Sequence, residues 1–299
     1  MGMLNLFKVY PSITGLDISD QTIRAVQLRK VGKHFALVKI GEEKLGEGII
    51  EDGEIKDKKQ FEKSLKTILE KKRISRNIVY SYPELKTFVK IVDVPDLEGP
   101  ELRESIRWEA EANIPIQIED AYLDWEIIER NEIRNTKKIF LAAILQRIAD
   151  EYSECLENAG FKIVAAETDS MALARALKDQ EKQAFLAVNI DKMETILTMI
   201  HRGSVRFTSS IQKEDGEDIL PDIRQALDFI KEHLVQNTKI EIVLSGGVDL
   251  NQVAGKIKEG LSENVSTSNP WKQIIKKRKT SEDGLGNFNV ALGLAMRKL

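Results

Sequence analysis

The chain has 299 residues, 42% of them hydrophobic and 31% charged, which suits one large bilobal unit or two domains with a real core. Its 45 basic and 48 acidic residues leave a net charge of −3, so the basic excess of a general nucleic-acid binder is missing. The one cysteine, Cys155, excludes an intrachain disulfide framework and a multi-cysteine zinc site, and His34, His201 and His233 lie too far apart for metal-ligand spacing.

No apolar run approaches the roughly 18 residues of a membrane span, and the opening "MGMLNLFKVYPSITG" lacks the long apolar stretch of a signal peptide. The cytoplasm is the simplest compartment. Ile13 to Asp17 reads as a buried strand, "TIRAVQLRK" (22–30) as a second and "KHFALVKIGEEKL" (33–45) as a third after a turn at Gly32. Phe61, Leu65, Ile68 and Leu69 recur at helical spacing in 57–74, so that stretch is an amphipathic helix. "NIVYSYP" (77–83) is a strand ending at a proline.

A second pattern follows. "KTFVKIVDVP" (86–95) is a strand, and 98–115 is a helix with Pro100 near its start and acids in its first turn. Residues 121–130 and 137–146 are strands joined by a polar turn, and 148–160 is a helix stopped by Gly160 that carries Cys155 as a small apolar residue. This order makes a compact unit over 84–160. Residues 161–179 supply a strand and a helix that Thr168 or Asp169 caps.

The stretch 184–211 repeats the pattern of 14–40: strand, polar turn, strand, glycine turn, strand, with Asn189 opposite Asp17, Ile190 opposite Ile18 and Gly203 near Gly32. A helix (218–234), a buried strand running into glycines (239–247), a helix (248–262), a short basic loop (276–280) and a terminal helix (287–299) complete the chain.

A hairpin with an acid and hydroxyls at its tip has the groups that wrap phosphates, backbone N–H and Ser or Thr donors around a carboxylate that holds hydrated magnesium. Two facing hairpins would grip a triphosphate, and "SGG" (245–247) offers bare backbone to a nucleotide. "GLDISDQTIRAV", "VNIDKMETI" and "VLSGGV" fall in the order of the first phosphate, second phosphate and adenosine motifs of the actin-like ATPase superfamily. "SIRWEAEANIPIQIEDAYLDWEII" (105–128), with "MLNLFK" at the start and "TDSMALARAL" (168–177), resembles the PilM family of type IV pilus assembly, relatives of the cell-division protein FtsA.

The resemblance implies an α/β, bilobal actin-like (ribonuclease H-like) fold with an inserted small α+β subdomain. The first lobe takes 1–83 and 161–179, the insertion 84–160, and the second lobe 180–299. It implies ATP and magnesium as cofactors, with Asp17 on the metal and Asp17, Ser19, Thr22, Arg24, Asn189, Gly246 and Gly247 around the nucleotide. It implies a cytoplasmic scaffold, peripheral to the inner membrane through its partners. One partner is the short N-terminal tail of a PilN-like single-span membrane protein, held in a groove beside the insertion. A motor ATPase of the same machine is another, and nucleic acid is not expected. The related type II secretion protein GspL has a similar architecture.

Three departures bear on the cofactor. Ser19 and Asp20 replace the usual glycine and serine of the first motif, Asn189-Ile190-Asp191 replaces Asp-Ile-Gly in the second, and Val248 follows the glycines of the third. A carboxylate beside a triphosphate is repelled. Between Ile211 and the last strand there is room for one helix and a loop, so the second lobe is reduced and one wall of the adenine pocket is missing. Weak or lost nucleotide binding follows. The alternative is an active actin-like ATPase whose nucleotide state controls assembly; a small-molecule kinase lacks a substrate motif. Thr22 and Arg24 are phosphate ligands or ordinary exposed strand residues. Glu167 and Asp169 orient a water or cap a helix. Trp108 and Trp125 are peptide anchors or core, beside a groove flanked by strand 87–94 and helix 101–113.

Overall fold

The computed structural model describes residues 12–177, 184–191, 194–212, 218–234, 239–261, 263–276 and 284–298. "MLNLFK" and the basic run beyond Lys276 lie outside them. The chain opens with β1 (Ile13–Ile18), β2 (Thr22–Val31), β3 (His34–Lys44), the short pair β4 (Ile50–Glu51) and β5 (Glu54–Ile55), α1 (Lys58–Lys72) and β6 (Asn77–Tyr82). Then come β7 (Thr87–Pro95), α2 (Gly99–Asn113), β8 (Ala121–Asn131), β9 (Thr136–Leu145), α3 (Gln146–Asn158), β10 (Lys162–Thr168) and α4 (Asp169–Ala176). The second half has β11 (Ala184–Ile190), β12 (Glu194–His201), β13 (Ser204–Gln212), α5 (Leu220–His233), β14 (Glu241–Gly246), α6 (Leu250–Leu261), β15 (Val265–Thr267), β16 (Ile274–Ile275) and α7 (Asn289–Ala295).

Two sheets carry the same wiring. One runs β10-β6-β1-β2-β3-β16, the other β13-β12-β11-β14-β15. In each, a three-stranded antiparallel meander (β1-β2-β3 and β11-β12-β13) is extended on the side of its first strand by two parallel strands. The parallel neighbours need crossover helices, and α1 and α5 supply the corresponding ones. The internal repeat in the sequence is therefore a repeat of topology.

The apolar spacing explains the layers. Phe61, Leu65, Ile68 and Leu69 put one face of α1 into the first lobe's core, and Asp57 caps the helix by accepting from the Gln60 amide at 3.0 Å. The unbroken run of β11 is buried throughout because helices and sheet cover both its faces: Leu186 and Val188 meet Ile223, Leu227 and Ile230 of α5, while Phe185 and Ala187 meet Leu173 of α4. A third sheet, β7-β9-β8, has α2 on one face and the second lobe's Phe185, Ile200 and Val205 against Val89, Ile91 and Phe140 on the other.

β16 and α7 come from the stretch assigned by sequence to the second lobe, yet they pack on the first. β16 pairs with β3, and α7 lies between β1 and α4. A Cβ on Gly15 of β1 would stand 2.0 Å from the Ala291 carbonyl oxygen, so only glycine lets α7 come this close.

Candidate functional site

The β1–β2 and β11–β12 hairpins face each other across the junction of the lobes, as the pairing of Arg24 with Asp191 requires. Arg24 is buried, not an exposed strand residue; its guanidinium bonds Asp191 of the opposite lobe and Glu42 of β3 at 3.0 Å. Asp17 is its cross-strand neighbour. Burial pushes the Asp17 carboxyl up to about 6; Arg24 pulls it down, while Asp191 and Glu42 add to the rise.

The first hairpin tip is closed on itself. Ser19 Oγ lies 3.1 Å from Thr22 Oγ1 and accepts from the Thr22 amide at 3.3 Å, while the Ser19 amide donates to the Thr22 carbonyl at 2.9 Å. Asp20 Oδ1 accepts from the Gly53 amide at 3.0 Å. In the second lobe, buried Asn189 accepts from Ser245 Oγ at 2.9 Å. Gly246 has φ +124°, and a Cβ there would stand 2.0 Å from the Ile190 carbonyl oxygen; a Cβ on Gly247 would overlap the Asn287 side chain. Gly246 is thus demanded by the chain's own packing, and Gly247 lies against the Asn287 side chain.

Further acids gather here that the motifs did not single out. Glu84, buried, accepts from the Ser170 amide at 3.1 Å and from Thr208 of the second lobe at 2.7 Å, and burial raises its carboxyl. Glu194 of β12 is pushed by burial to about 7, although Ser210 donates to it at 2.6 Å. Asp169 is buried with Oδ1 lacking a hydrogen-bond partner, and burial followed by the charges of Asp17, Glu194 and Glu84 holds it well above the usual range. It does not cap α4; Thr168 does, accepting from the Met171 amide. Among the described residues no group of three or more His, Cys, Asp or Glu is arranged to hold a metal ion.

A cavity of about 810 Å³ has none of Asp17, Ser19, Thr22, Arg24, Asn189, Gly246 and Gly247 in its wall. It runs between two sheet edges. On one side stand five consecutive residues of β8, Tyr122 to Glu126, and on the other Ala166, Glu167 and Thr168 of β10. Consecutive residues from both faces of a strand line a space only when its backbone edge looks into it. Phe140, Ala142 and Met171 give an apolar floor. Glu167 does not cap α4: its buried carboxylate holds Arg175 at 2.7 Å and also Arg297, just past α7.

The expected groove position differs from this. β7's outer edge lies against β13, and α2 covers the far face of the small sheet. Trp125 packs partly against that core, but Trp108 is 63% exposed on α2, so the core reading of Trp108 is wrong. The edge strand itself was missed because alternation predicts faces and is silent about which strand lacks a neighbour.

The model of the family described as type IV pilus assembly protein PilM matches residues 15–212, about two thirds of the chain. The chain belongs to the PilM family. The fold of this family member agrees with a solved PilM–PilN type IV pilus biogenesis complex at TM-score 0.81 and 21% identity, over 95% of this chain and 97% of that one. It resembles the cytoplasmic domain of EpsL, an inner-membrane component of the type II secretion system of Vibrio cholerae, at TM-score 0.56 and 10% identity over 96% of each chain. A Bacteroides thetaiotaomicron protein with an actin-like ATPase fold matches at TM-score 0.50 and 14% identity, over 90% of this chain and 95% of that one. No curated protein sequence matches significantly. The architecture is bilobal and actin-like, and no helix among the described residues is long and apolar enough to cross a membrane.

Proposed function

We propose that this PilM family member is an assembly scaffold that holds an extended peptide, the short tail of a PilN-like membrane protein, in the cavity between β8 and β10. The carrying observation is the run Tyr122–Glu126: a strand edge with no neighbour among the described residues, lining an apolar-floored space. Such an edge offers a row of backbone donors and acceptors to an incoming strand, and alternate pockets select its side chains. The PilM–PilN complex supports the choice of partner.

The cleft residues do not fit a magnesium triphosphate. Arg24 is committed to Asp191 and Glu42, the Ser19 and Thr22 hydroxyls to each other, and Asn189 to Ser245. The remaining groups, Asp17, Asp169, Glu84 and Glu194, are carboxyls that repel phosphate when ionised. Weak or lost nucleotide binding is part of the proposal: Arg24, with Asp17 beside it, joins the lobes, while Ser19, Thr22, Asn189, Gly246 and Gly247 brace their own hairpin tips and strand ends.

The test is fluorescence anisotropy of a labelled synthetic tail from the neighbouring membrane protein. Saturable binding that falls at least about tenfold in Ala142→Trp, which fills the floor, supports the reading; binding unchanged in that variant contradicts it. Titration with ATP and magnesium separates the scaffold from the ATPase alternative, and tight binding there ends the scaffold reading of the cleft.

A further inference from the structure

The β2–β3 hairpin carries a surface that neither the cleft nor the groove uses. Residues 21–41 contain no Asp or Glu, and neither do residues 264–281, in a chain whose net charge is −3. The fold sets these two acid-free stretches side by side: β16 pairs parallel with β3, placing Ile274 beside Phe35 and Ile275 beside Ala36. Directly paired residues share a sheet face. Ile274 and Phe35 therefore point to the α7 side, where Ile274 is buried. On the opposite face Arg29, Ala36 and Ile275 form one row, and Val31 with His34 forms the next.

Among the described residues, no element covers that face at this end. Val31, Val38 and Ile275 are 42%, 38% and 49% exposed, and Arg29, Lys33 and Lys39 around them are all exposed. None of these three cations makes an ion pair with another described residue. Aliphatic tips ringed by unpaired cations match the chemistry of a bilayer with anionic headgroups, where the cations meet phosphates and the aliphatics enter the interface. The same composition lacks what a nucleic-acid surface uses, since Phe35 is turned toward α7 and no other aromatic ring besides His34 stands in the hairpin.

We infer that this hairpin face is a second, weak membrane contact, binding anionic lipid headgroups directly. Phe35 is also in the groove wall, beside Arg297 and Lys298, so the hairpin borders the mouth of the peptide groove. This clause alone rests on the proposed function: a short tether held in the groove would bring this border to the lipid surface. The charge and exposure of the face stand without it.

The experiment is co-sedimentation of the full chain with vesicles of phosphatidylglycerol mixed with phosphatidylcholine, and with phosphatidylcholine alone. No membrane protein or peptide is present, so failure here leaves the groove reading intact, and failure of the groove leaves this one intact. Binding to the anionic vesicles only, weakened by salt and reduced about tenfold or more in R29E/K33E, is the expected result. Val31→Ser with Ile275→Ser should lower the fraction that resists salt. The four positions are exposed, and an unchanged melting curve verifies the fold of each variant. No sedimentation with anionic vesicles, equal sedimentation with both lipids, or unchanged binding by R29E/K33E overturns the inference. So does retention on a DNA duplex without retention on the vesicles.

Discussion

Arg24 is one of the groups that tie the lobes together, and its environment makes two predictions. The side chain is nearly buried and answers Asp191, Glu42 and Asp17. Arg24→Ala leaves those carboxylates without their cation, and removing one partner of a buried ionic cluster costs about 3–5 kcal/mol; urea unfolding measures it. The second concerns pH. Asp17 rises from 3.8 to about 6 and Glu194 from 4.5 to about 7, both first through burial. Between the ordinary carboxyl range and these raised values the native state binds protons that the unfolded chain has released. Stability is therefore greatest on the acid side of that window, falls as pH rises through about 6 to 7, and levels off above it. Glu54, held down to about 2 by Arg147 and then Lys56, acts in the opposite sense, but only below its ordinary 4.5. Thermal melts should give a higher Tm at pH 5 than at pH 8. Asp17→Asn should raise stability at pH 8 by about 1–3 kcal/mol and flatten the profile. A Tm that climbs from pH 5 to pH 8 would contradict the burial of these acids.

Elements explain what the sequence could and could not disclose. Helical spacing located α1 to within two residues of its ends, and the strand–turn–strand pattern of 184–211 located β11, β12 and β13. The parallel of Asp17 with Asn189 disclosed the duplicated meander, because a repeat of pattern needs no knowledge of distant contacts. β15 and β16 were missed: strands of three and two residues are too short to display a period. The side of the molecule on which α7 sits was missed too, since its apolar faces fit either lobe and only close packing on Gly15 decides. In the cleft, Ser19, Asp20 and Asp191 were legible as departures from phosphate loops. Their actual partners, Thr22, Gly53 and Arg24, depend on tertiary placement. The glycines of β14 yield the prediction at this scale. Gly246→Ala puts a Cβ against the Ile190 carbonyl at a φ that side chains rarely adopt, so it should destabilise the chain by several kcal/mol in chemical unfolding. A neutral result would mean that the backbone there has room to move.

At the scale of the whole molecule, three sheets meet so that one edge of the small sheet and one edge of the first lobe's sheet are left facing each other. Exposed strand edges are usually blunted or covered, because they recruit other chains. Here the two edges border an apolar floor and a clamp of Glu167 with Arg175 and Arg297, which ties the end of the chain into the groove wall. The cleft that an actin-like ATPase would use is instead bridged by the Arg24–Asp191 ion pair. The most direct test of this division of labour is hydrogen–deuterium exchange of the full chain with and without the synthetic tail peptide. The account predicts slowed exchange of the β8 amides between Tyr122 and Glu126, with no change at the hairpin tips around Ser19 and Asn189. Protection at those tips with β8 unaltered would contradict it.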